Sequence, residues 1–318
     1  METWLDDDTM AGPLGRLVSY VTSPLVGARA RKVLTVPEGR AAYVGVGGVL
    51  LGGSGKTPVS IAIARVLART GTRVALVGHG YGAKARACRV VQPESPTSEV
   101  GDEARVAARQ LDDLPNVRVV VGPQRALAVV FASHLADVVV VDGAPFVRTA
   151  GSPSRSLSVM ACPRPRSVDE ARRFESLVRG ADLVVHEQAE ASRLSLVDAQ
   201  GMVKPLASLE GLRFGLATAI ARPARVVRAL EALAPHVTLT LENHGRLTPE
   251  DRRRAEALTR RDALDVWLVT EKGPWLDLPT FGGRPLLFLR QSVDLPHDIV
   301  ARLFGFARPA LEFPPQSR

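Results

Sequence analysis

The sequence predicts an α/β fold, in which helices cover both faces of a parallel sheet and a smaller second α/β unit follows. First, short apolar segments alternate with helical patterns along the chain, as is typical of parallel sheets. Second, several apolar segments are valine-rich throughout, as in Val138–Val141, which indicates strands buried on both faces. Third, a glycine-rich turn at Gly52–Pro58 separates a predicted strand from a predicted helix.

The elements fall into two series, which we assign to domains at 1–212 and 213–318. Strands of the first series are predicted at Ala41–Val46, Arg73–Val77, Val117–Val121, Asp137–Val141, Ser156–Ala161 and Asp182–Val185. Helices are predicted between them at Val59–Ala68, Glu103–Gln110 and Pro123–His134. The second series has predicted strands at Phe214–Ala217, Val237–Leu241, Asp265–Val269 and Leu286–Leu289, and predicted helices at Arg222–Leu233 and Pro249–Arg260. Thr248 is the predicted N-cap of the last helix.

The composition narrows the class of protein. The 318 residues, 46% hydrophobic, are enough for one large core or two modest ones. The net charge of +8 comes from arginine and can indicate a nucleic acid, an anionic membrane or an anionic substrate, although solvated arginine surfaces explain most of the excess. Nucleic acid is disfavoured because aromatics make up only 5% and no nucleic-acid-reading motif is present. Two cysteines, Cys88 and Cys162, form neither a disulfide framework nor a metal site. We expect a cytoplasmic protein with no membrane-spanning helix.

An apolar stripe lies near the N-terminus. Leu14, Leu17, Val18 and Val21 fall on one face of a predicted helix, and basic residues flank it. Such a helix could lie on an anionic membrane surface or pack on the protein's own core. The spacing alone slightly favours the packed helix.

The glycine-rich turn has the pattern of a phosphate-binding loop. Backbone N–H groups in such a loop point at phosphates, and the helix dipole adds to the attraction. Lys56 would reach the terminal phosphates, and the Thr57 hydroxyl would hold Mg²⁺. The usual pattern has a glycine where this chain has Leu50. The predicted nucleotide-binding residues are Gly52, Gly53, Ser54, Gly55, Lys56, Thr57 and Pro58.

Three acidic residues are candidates for phosphoryl-transfer chemistry. Asp142 ends a valine-rich strand, where it could hold the metal or cap a turn. Asp102 and Glu103 start a predicted helix, where paired carboxylates are often only caps. Alternatively, Asp102 accepts a proton from an attacking hydroxyl while Glu103 assists with the metal. Spacing does not decide between these roles.

Two loops that follow predicted strands add further candidates. Gly80 and Tyr81 lie in the first of these loops, and His244 lies in the second. Glycines there indicate close approach of the backbone to a ligand, or a simple turn. Loops after parallel strands are where ligand sites of α/β proteins gather. We expect the ligand between the two units.

Six short motifs, in this order, carry a resemblance to one family. They are Gly52–Pro58, Gly78–Ala83, Val100–Ala104, Gly122–Arg125, Thr218–Pro223 and Thr270–Gly273. In these motifs the chain resembles the tetraacyldisaccharide 4'-kinases, the lipid A kinases of Gram-negative bacteria. The family loop also lacks the early glycine and carries a proline at the position of Pro58. The P-loop NTPase-like first domain and the smaller second domain agree with the two-unit architecture that the resemblance implies.

The resemblance implies the reaction and the partners. ATP, with Mg²⁺, would donate its γ-phosphoryl group to the 4'-hydroxyl of a tetraacylated glucosamine disaccharide 1-phosphate, the lipid A precursor. The enzyme would lie peripherally on the cytoplasmic face of the inner membrane, which favours the membrane-surface interpretation of Leu14–Val21. No nucleic acid and no obligatory protein partner are expected.

The resemblance also implies roles for individual residues. The expected catalytic residues are Asp102 as the base, Lys56, and His244 in support of the catalytic aspartate. The expected metal-binding residues are Thr57, Asp142 and Glu103. The expected substrate-binding residues are Gly80, Tyr81 and Arg125.

The chain departs from the family pattern at two motifs. The family's Asp-Asp-Gly-Phe-Gln-His corresponds here to Val141–Phe146, and its Asp-His-His corresponds to Asn243–Gly245. These departures leave an alternative hypothesis: a divergent nucleotide-binding family member with weak or no lipid kinase activity, acting as a regulator or scaffold. A P-loop ATPase or metallochaperone GTPase is disfavoured, because such proteins have no need of the second-unit motifs.

Overall fold

The computed structural model describes most of the chain as two compact units. The described residues are 33–37, 41–50, 53–78, 86–150, 155–165, 167–186, 192–220, 223–241 and 247–312. One unit is Arg193–Ser292, and the other comprises the described residues before it together with those from Val293 onwards. This division differs from the boundary expected at residue 213. Strands that follow residue 192 pair within the second sheet, and the last helix belongs to the first unit.

The first unit is built on a sheet of seven strands, counted over the described residues. In spatial order the strands are β4 (Arg89–Val91), β5 (Val117–Val121), β3 (Val74–Val77), β6 (Val138–Asp142), β2 (Ala42–Gly48), β8 (Ser156–Cys162) and β9 (Leu183–His186). All neighbours are parallel except β4 with β5. A separate parallel pair joins β1 (Val33–Val36) to β7 (Phe146–Thr149). The central strand β6 is buried along its whole length, as its run of valines predicted.

Helices cover both faces of this sheet. They are α1 (Lys56–Ala68), α2 (Thr97–Val100), α3 (Asp102–Gln110), α4 (Arg125–Ser133), α5 (Val168–Val178) and α8 (His297–Glu312). One apolar cluster contains buried residues of α1, α3 and α8, and a second, separate cluster contains those of α4. Alternate residues of β6 belong to the two clusters, Val140 to the first and Val141 to the second, because successive strand residues point to opposite faces.

The second unit is a smaller α/β sheet. Its strands are β10 (Ser192–Val197), β11 (Val203–Lys204), β12 (Phe214–Thr218), β13 (Val237–Thr240), β14 (Val266–Thr270), β15 (Thr280–Phe281) and β16 (Arg284–Val293). The strands β13, β12, β14 and β16 are neighbours in that order and parallel. Its helices are α6 (Pro223–Ala229) and α7 (Pro249–Arg261), with short 3₁₀ turns at Leu206–Leu209 and Glu231–Leu233.

The start of α7 confirms the predicted N-cap. The Thr248 hydroxyl accepts a hydrogen bond from the Asp251 backbone N–H, and the Asp251 carboxylate accepts one from the Thr248 N–H. This reciprocal arrangement satisfies two helix-terminal donors. The predicted helix over 222–233 is shorter in the structure, which ends α6 at Ala229.

Two of the sequence-based predictions concern a membrane. Within the described ranges, no helix is both long and apolar enough to cross a membrane. The stripe at Leu14–Val21 lies outside the described residues.

Candidate active site

The glycine-rich turn delivers Lys56 and Thr57 to the N-terminus of α1. Strand β2 ends at Gly48, and Gly55 is the residue from which the helix starts. Gly53 and Gly55 have φ of 67° and 80°, a region that residues with a side chain rarely adopt. The turn therefore requires glycine at both positions, and it leaves the positive end of the α1 dipole at the loop.

The Lys56 side chain folds back over the loop. Its Nζ donates hydrogen bonds to the Leu50 carbonyl and to Ser54 Oγ, each at 3.1 Å. A Cβ at Gly48 would lie 2.1 Å from Ser54 Oγ, so the end of β2 must lack a side chain for Ser54 to sit there. The Lys56 ammonium is thus held at the loop by oxygens.

Asp142, at the end of β6, is held by two hydroxyls of α1. Thr57 Oγ1 donates to its Oδ2 at 2.7 Å, and Ser60 Oγ donates to its Oδ1 at 3.1 Å. In the sheet register Asp142 lies opposite Val46 of β2, the strand that leads into the loop. The carboxyl end of β6 therefore meets the glycine-rich loop.

The position of Asp142 disfavours the ionised form of its carboxylate. Its side chain is 3% exposed. Burial raises the pKa of Asp142, and the nearby charge of Glu103 raises it further. The Thr57 and Ser60 hydroxyls and the Lys56 ammonium act in the opposite direction without cancelling the increase. A cation at this carboxylate would relieve the cost.

Arg125 belongs to the same cluster of charges. It starts α4, and its Nη1 donates to the Gly143 carbonyl at 3.0 Å. Burial lowers the pKa of Arg125, and the charges of Asp142 and Glu103 oppose that decrease. The guanidinium therefore lies close to both carboxylates.

Asp102 and Glu103 begin α3 at the same edge of the sheet. Gly101 precedes them with a φ of 84°, and the Glu103 N–H donates to Asp102 Oδ1 at 2.9 Å. Gly78 follows β3, and a Cβ added to it would lie 3.0 Å from Ala104 Cβ. That close approach puts the start of α3 against the carboxyl end of β3, which neighbours β6. The N-cap position of α3 is Gly101, without a side-chain cap, so the structure shows Asp102 accepting one hydrogen bond from the first turn of α3.

The departure from the family motif after β6 has a structural counterpart. Val141 stands where the family pattern has its first aspartate, and it packs in the apolar cluster with α4. The loop after β6 also lies directly against β2. A Cβ at Gly45 would lie 2.3 Å from the Pro145 carbonyl oxygen, and one at Gly47 would lie 2.6 Å from Pro145 Cβ. No pattern in the sequence indicated that Gly45 and Gly47 make room for this loop.

The structure brings part of the predicted site together. Lys56, Thr57, Asp142, Glu103 and Arg125 form one cluster through the contacts above. Other predicted residues, Gly52, Gly80, Tyr81 and His244, lie outside the described residues.

Sequence reasoning missed Ser60 at this site. Its signal was the spacing from Thr57, because residues three apart lie on one face of a helix.

The donor atoms at the loop suit Mg²⁺ that is bound together with a nucleotide better than they suit a metal held by protein side chains alone. Thr57, Asp142 and Glu103 offer oxygen atoms, and Mg²⁺ prefers oxygen ligands. Among the residues that the structure describes, no group of three or more histidine, cysteine, aspartate or glutamate side chains could hold a metal. Mg²⁺ in kinases binds through one or two carboxylates together with nucleotide phosphates, which is what this site offers.

Comparison with known proteins identifies the family. A family model described as tetraacyldisaccharide-1-P 4'-kinase matches residues 10–144. Over 313 residues the chain is 31% identical to a tetraacyldisaccharide 4'-kinase of Anaeromyxobacter dehalogenans (strain 2CP-C), with 81% of each chain covered. It is 32% identical to one of Verminephrobacter eiseniae, covering 80% of this chain but 65% of that protein's length.

A solved structure shares the fold. The crystal structure of LpxK from Aquifex aeolicus in complex with ATP matches with a TM-score of 0.62 at 17% identity. The match covers 93% of this chain and 98% of that one. It confirms the predicted α/β fold with a P-loop NTPase-like sheet. With these likenesses over most of its length, the chain belongs to the tetraacyldisaccharide 4'-kinase family.

Proposed function

We propose that the chain transfers the γ-phosphoryl group of ATP to the 4'-hydroxyl of a tetraacylated glucosamine disaccharide 1-phosphate, the lipid A precursor. The observation that carries the proposal is the contact of Thr57, in the phosphate loop, with Asp142 at the end of β6. That pairing joins a nucleotide loop to a metal-side carboxylate, as phosphoryl transfer requires. Family membership supplies the acceptor.

The phosphate loop would position the nucleotide. The N-terminus of α1 offers backbone N–H groups and a positive dipole end to the phosphates. Lys56, now bonded to Leu50 and Ser54, would exchange those neutral partners for phosphate oxygens. Thr57, Asp142 and Glu103 would hold Mg²⁺, which when bound neutralises charge on the phosphates. Positioning and charge neutralisation together supply most of the catalysis in such a reaction.

Asp102 would act as the base. As the acceptor's 4'-oxygen forms a bond to the γ-phosphorus, the bond from that phosphorus to the bridging oxygen of ADP breaks. The hydroxyl proton passes to the Asp102 carboxylate. One oxygen of the Asp102 carboxylate accepts a hydrogen bond from the Glu103 N–H, and this bond fixes the carboxylate at the start of α3. His244 would support Asp102, and Gly80, Tyr81 and Arg125 would contact the substrates.

The location follows from the acceptor. A tetraacylated disaccharide resides in a membrane, so its kinase must reach the membrane surface. The apolar stripe at Leu14–Val21 with its basic flanks, and the net charge of +8, support peripheral attachment to the cytoplasmic face of an anionic inner membrane. We expect no nucleic-acid partner and no obligatory protein partner.

A transfer assay tests the proposal. Purified protein is incubated with ATP, Mg²⁺ and the disaccharide 1-phosphate, and the product is identified by mass spectrometry and by the position of the new phosphate. The wild type should form the 4'-phosphate. Lys56→Ala should reduce the rate by roughly 100- to 1,000-fold, because one preorganised charge on the transferring group is lost.

Lys204→Ala is the matched control, since Lys204 pairs with Asp198 at 2.9 Å in the second unit and lies outside the proposed chemistry. Its rate should equal that of the wild type. If the wild-type protein binds ATP but leaves the acceptor unmodified, the result would contradict the kinase proposal and support the regulator or scaffold.

A further inference from the structure

Ser60 lies one turn into α1 and is fully buried. Its hydroxyl donates to Asp142 Oδ1, while the Thr57 hydroxyl donates to Asp142 Oδ2. The two residues are three apart on one helix, so their side chains share a face. Each oxygen of the carboxylate therefore has its own hydroxyl donor from the same helix.

The hydrogen bond of Ser60 is not the one that a helix-interior serine usually makes. Such serines commonly bond back to the carbonyl of the preceding turn. Ser60 instead reaches Asp142, 82 residues further along the chain. The contact thus joins the phosphate-loop helix to the end of β6.

Asp142 needs such a restraint. The terminal torsion of an aspartate is broad and only weakly restricted by the side chain itself. The charge of Glu103 disfavours the ionised carboxylate. The neighbouring residue of β6, Val141, packs on the other face of the sheet, so β6 supplies this face with one carboxylate at this point.

We propose that Ser60 is a positioning residue that fixes the Asp142 carboxylate in the orientation required to hold Mg²⁺ with the nucleotide. The Thr57 hydroxyl donates to one carboxylate oxygen of Asp142 and would itself bind the metal. Ser60, in contrast, would act only through Asp142. The inference rests on the proposed nucleotide site, and it extends that site to a buried residue that would touch neither ATP nor the acceptor. Partners that orient a metal ligand typically contribute 10- to 100-fold to metal affinity.

The test is a calorimetric titration of Mg²⁺ into the full chain with a non-hydrolysable ATP analogue bound. Ser60→Ala should weaken the Mg²⁺ affinity by roughly 10-fold or more. Ser60→Cys should weaken it to a similar extent, because the thiol fills the volume but is a weak donor. Affinity restored by cysteine would assign the effect to packing and overturn the proposal.

Ser158→Ala is the matched control. Ser158 is buried in the same unit, and its hydroxyl donates to Asp182 Oδ2 at 2.6 Å, so the variant also removes a hydroxyl from a carboxylate. Its Mg²⁺ affinity should equal that of the wild type. Unchanged affinity in Ser60→Ala, or equal losses in both alanine variants, would overturn the proposal.

The titration also separates this inference from the kinase proposal, because it involves no turnover. A chain that binds Mg²⁺ and the analogue through Ser60 and Asp142 but leaves the acceptor unmodified would retain the positioning role and lose the kinase function.

Discussion

At the scale of single residues, the charged form of Asp142 is unfavourable for folding but is the form that would hold a cation. The carboxylate is buried beside Glu103, and both features raise its pKa. Holding a cation requires the ionised form. The hydroxyls of Thr57 and Ser60 offset part of the cost. The surroundings of Asp142 thus disfavour the charge that a bound cation would require, as is common at functional sites.

Replacing Asp142 by asparagine should make the metal-free protein more stable near neutral pH. Because the pKa of Asp142 is raised on folding, its favourable contribution is complete below the ordinary value of 3.8. That contribution is lost as the pH rises from there towards the raised pKa. Asp142→Asn should therefore gain roughly 0.5–2 kcal/mol at neutral pH. Chemical denaturation of both proteins across pH measures the difference.

Asp251→Asn provides a control of opposite sign. The Thr248 hydroxyl lowers the pKa of Asp251, so its carboxylate stabilises above the ordinary aspartate range, and the variant should lose a little stability at neutral pH. A wild type as stable as Asp142→Asn at every pH would refute the electrostatic account of Asp142.

The residue scale also shows what the sequence could predict of the site. Lys56, Thr57 and Asp142 were identified because a loop motif and a strand end mark them directly. Ser60 was missed because a serine among apolar helix residues gives no signal except its spacing from Thr57. Arg125 was expected to contact substrate, but its closeness to Glu103 and Asp142 depends on how α4 and α3 approach β6, which no local pattern specifies.

At the scale of elements, predictions were best where the signal was local. The strand–turn–helix of β2 and α1, the valine-rich β6 and the capped α7 lie close to their expected positions. The short strands β1 and β7 were missed, because each is defined by its pairing with the other across more than a hundred residues of sequence. The unit boundary differed for the same reason, since β10 pairs with β16.

The last helix, α8, should contribute strongly to the stability of the first unit. Leu303 is fully buried in the cluster that contains Ile63 and Leu67 of α1. Leu303→Ala should cost about 2–5 kcal/mol, as lost burial plus a cavity. Urea unfolding of the full chain measures it.

Arg302→Ala is the matched control, because Arg302 is exposed on the same helix and its replacement should change the stability by less than about 0.5 kcal/mol. Equal effects of the two substitutions would mean that α8 does not pack through Leu303.

At the scale of the whole molecule, the fold, the net charge and the family are all consistent with the proposed kinase function. The proposed nucleotide site lies at the carboxyl edge of the first sheet, where ligands of open α/β sheets bind. The net charge of +8 suits anionic partners such as ATP and an anionic lipid. Family membership rests on relatives that this chain matches over most of its length. The departures at Val141 and Asn243 make the activity of this particular chain the point to test.

The most direct test of the account is 4'-phosphorylation of the disaccharide 1-phosphate by the wild type and by Asp102→Ala, with ATP affinity measured in parallel. We expect the wild type to form the 4'-phosphate. The variant should bind ATP equally well and lose roughly 100- to 10,000-fold in kcat, the contribution typical of a general base. Equal turnover by the two proteins would contradict the role of Asp102. A wild type that binds ATP and Mg²⁺ but never phosphorylates the acceptor would contradict the central claim.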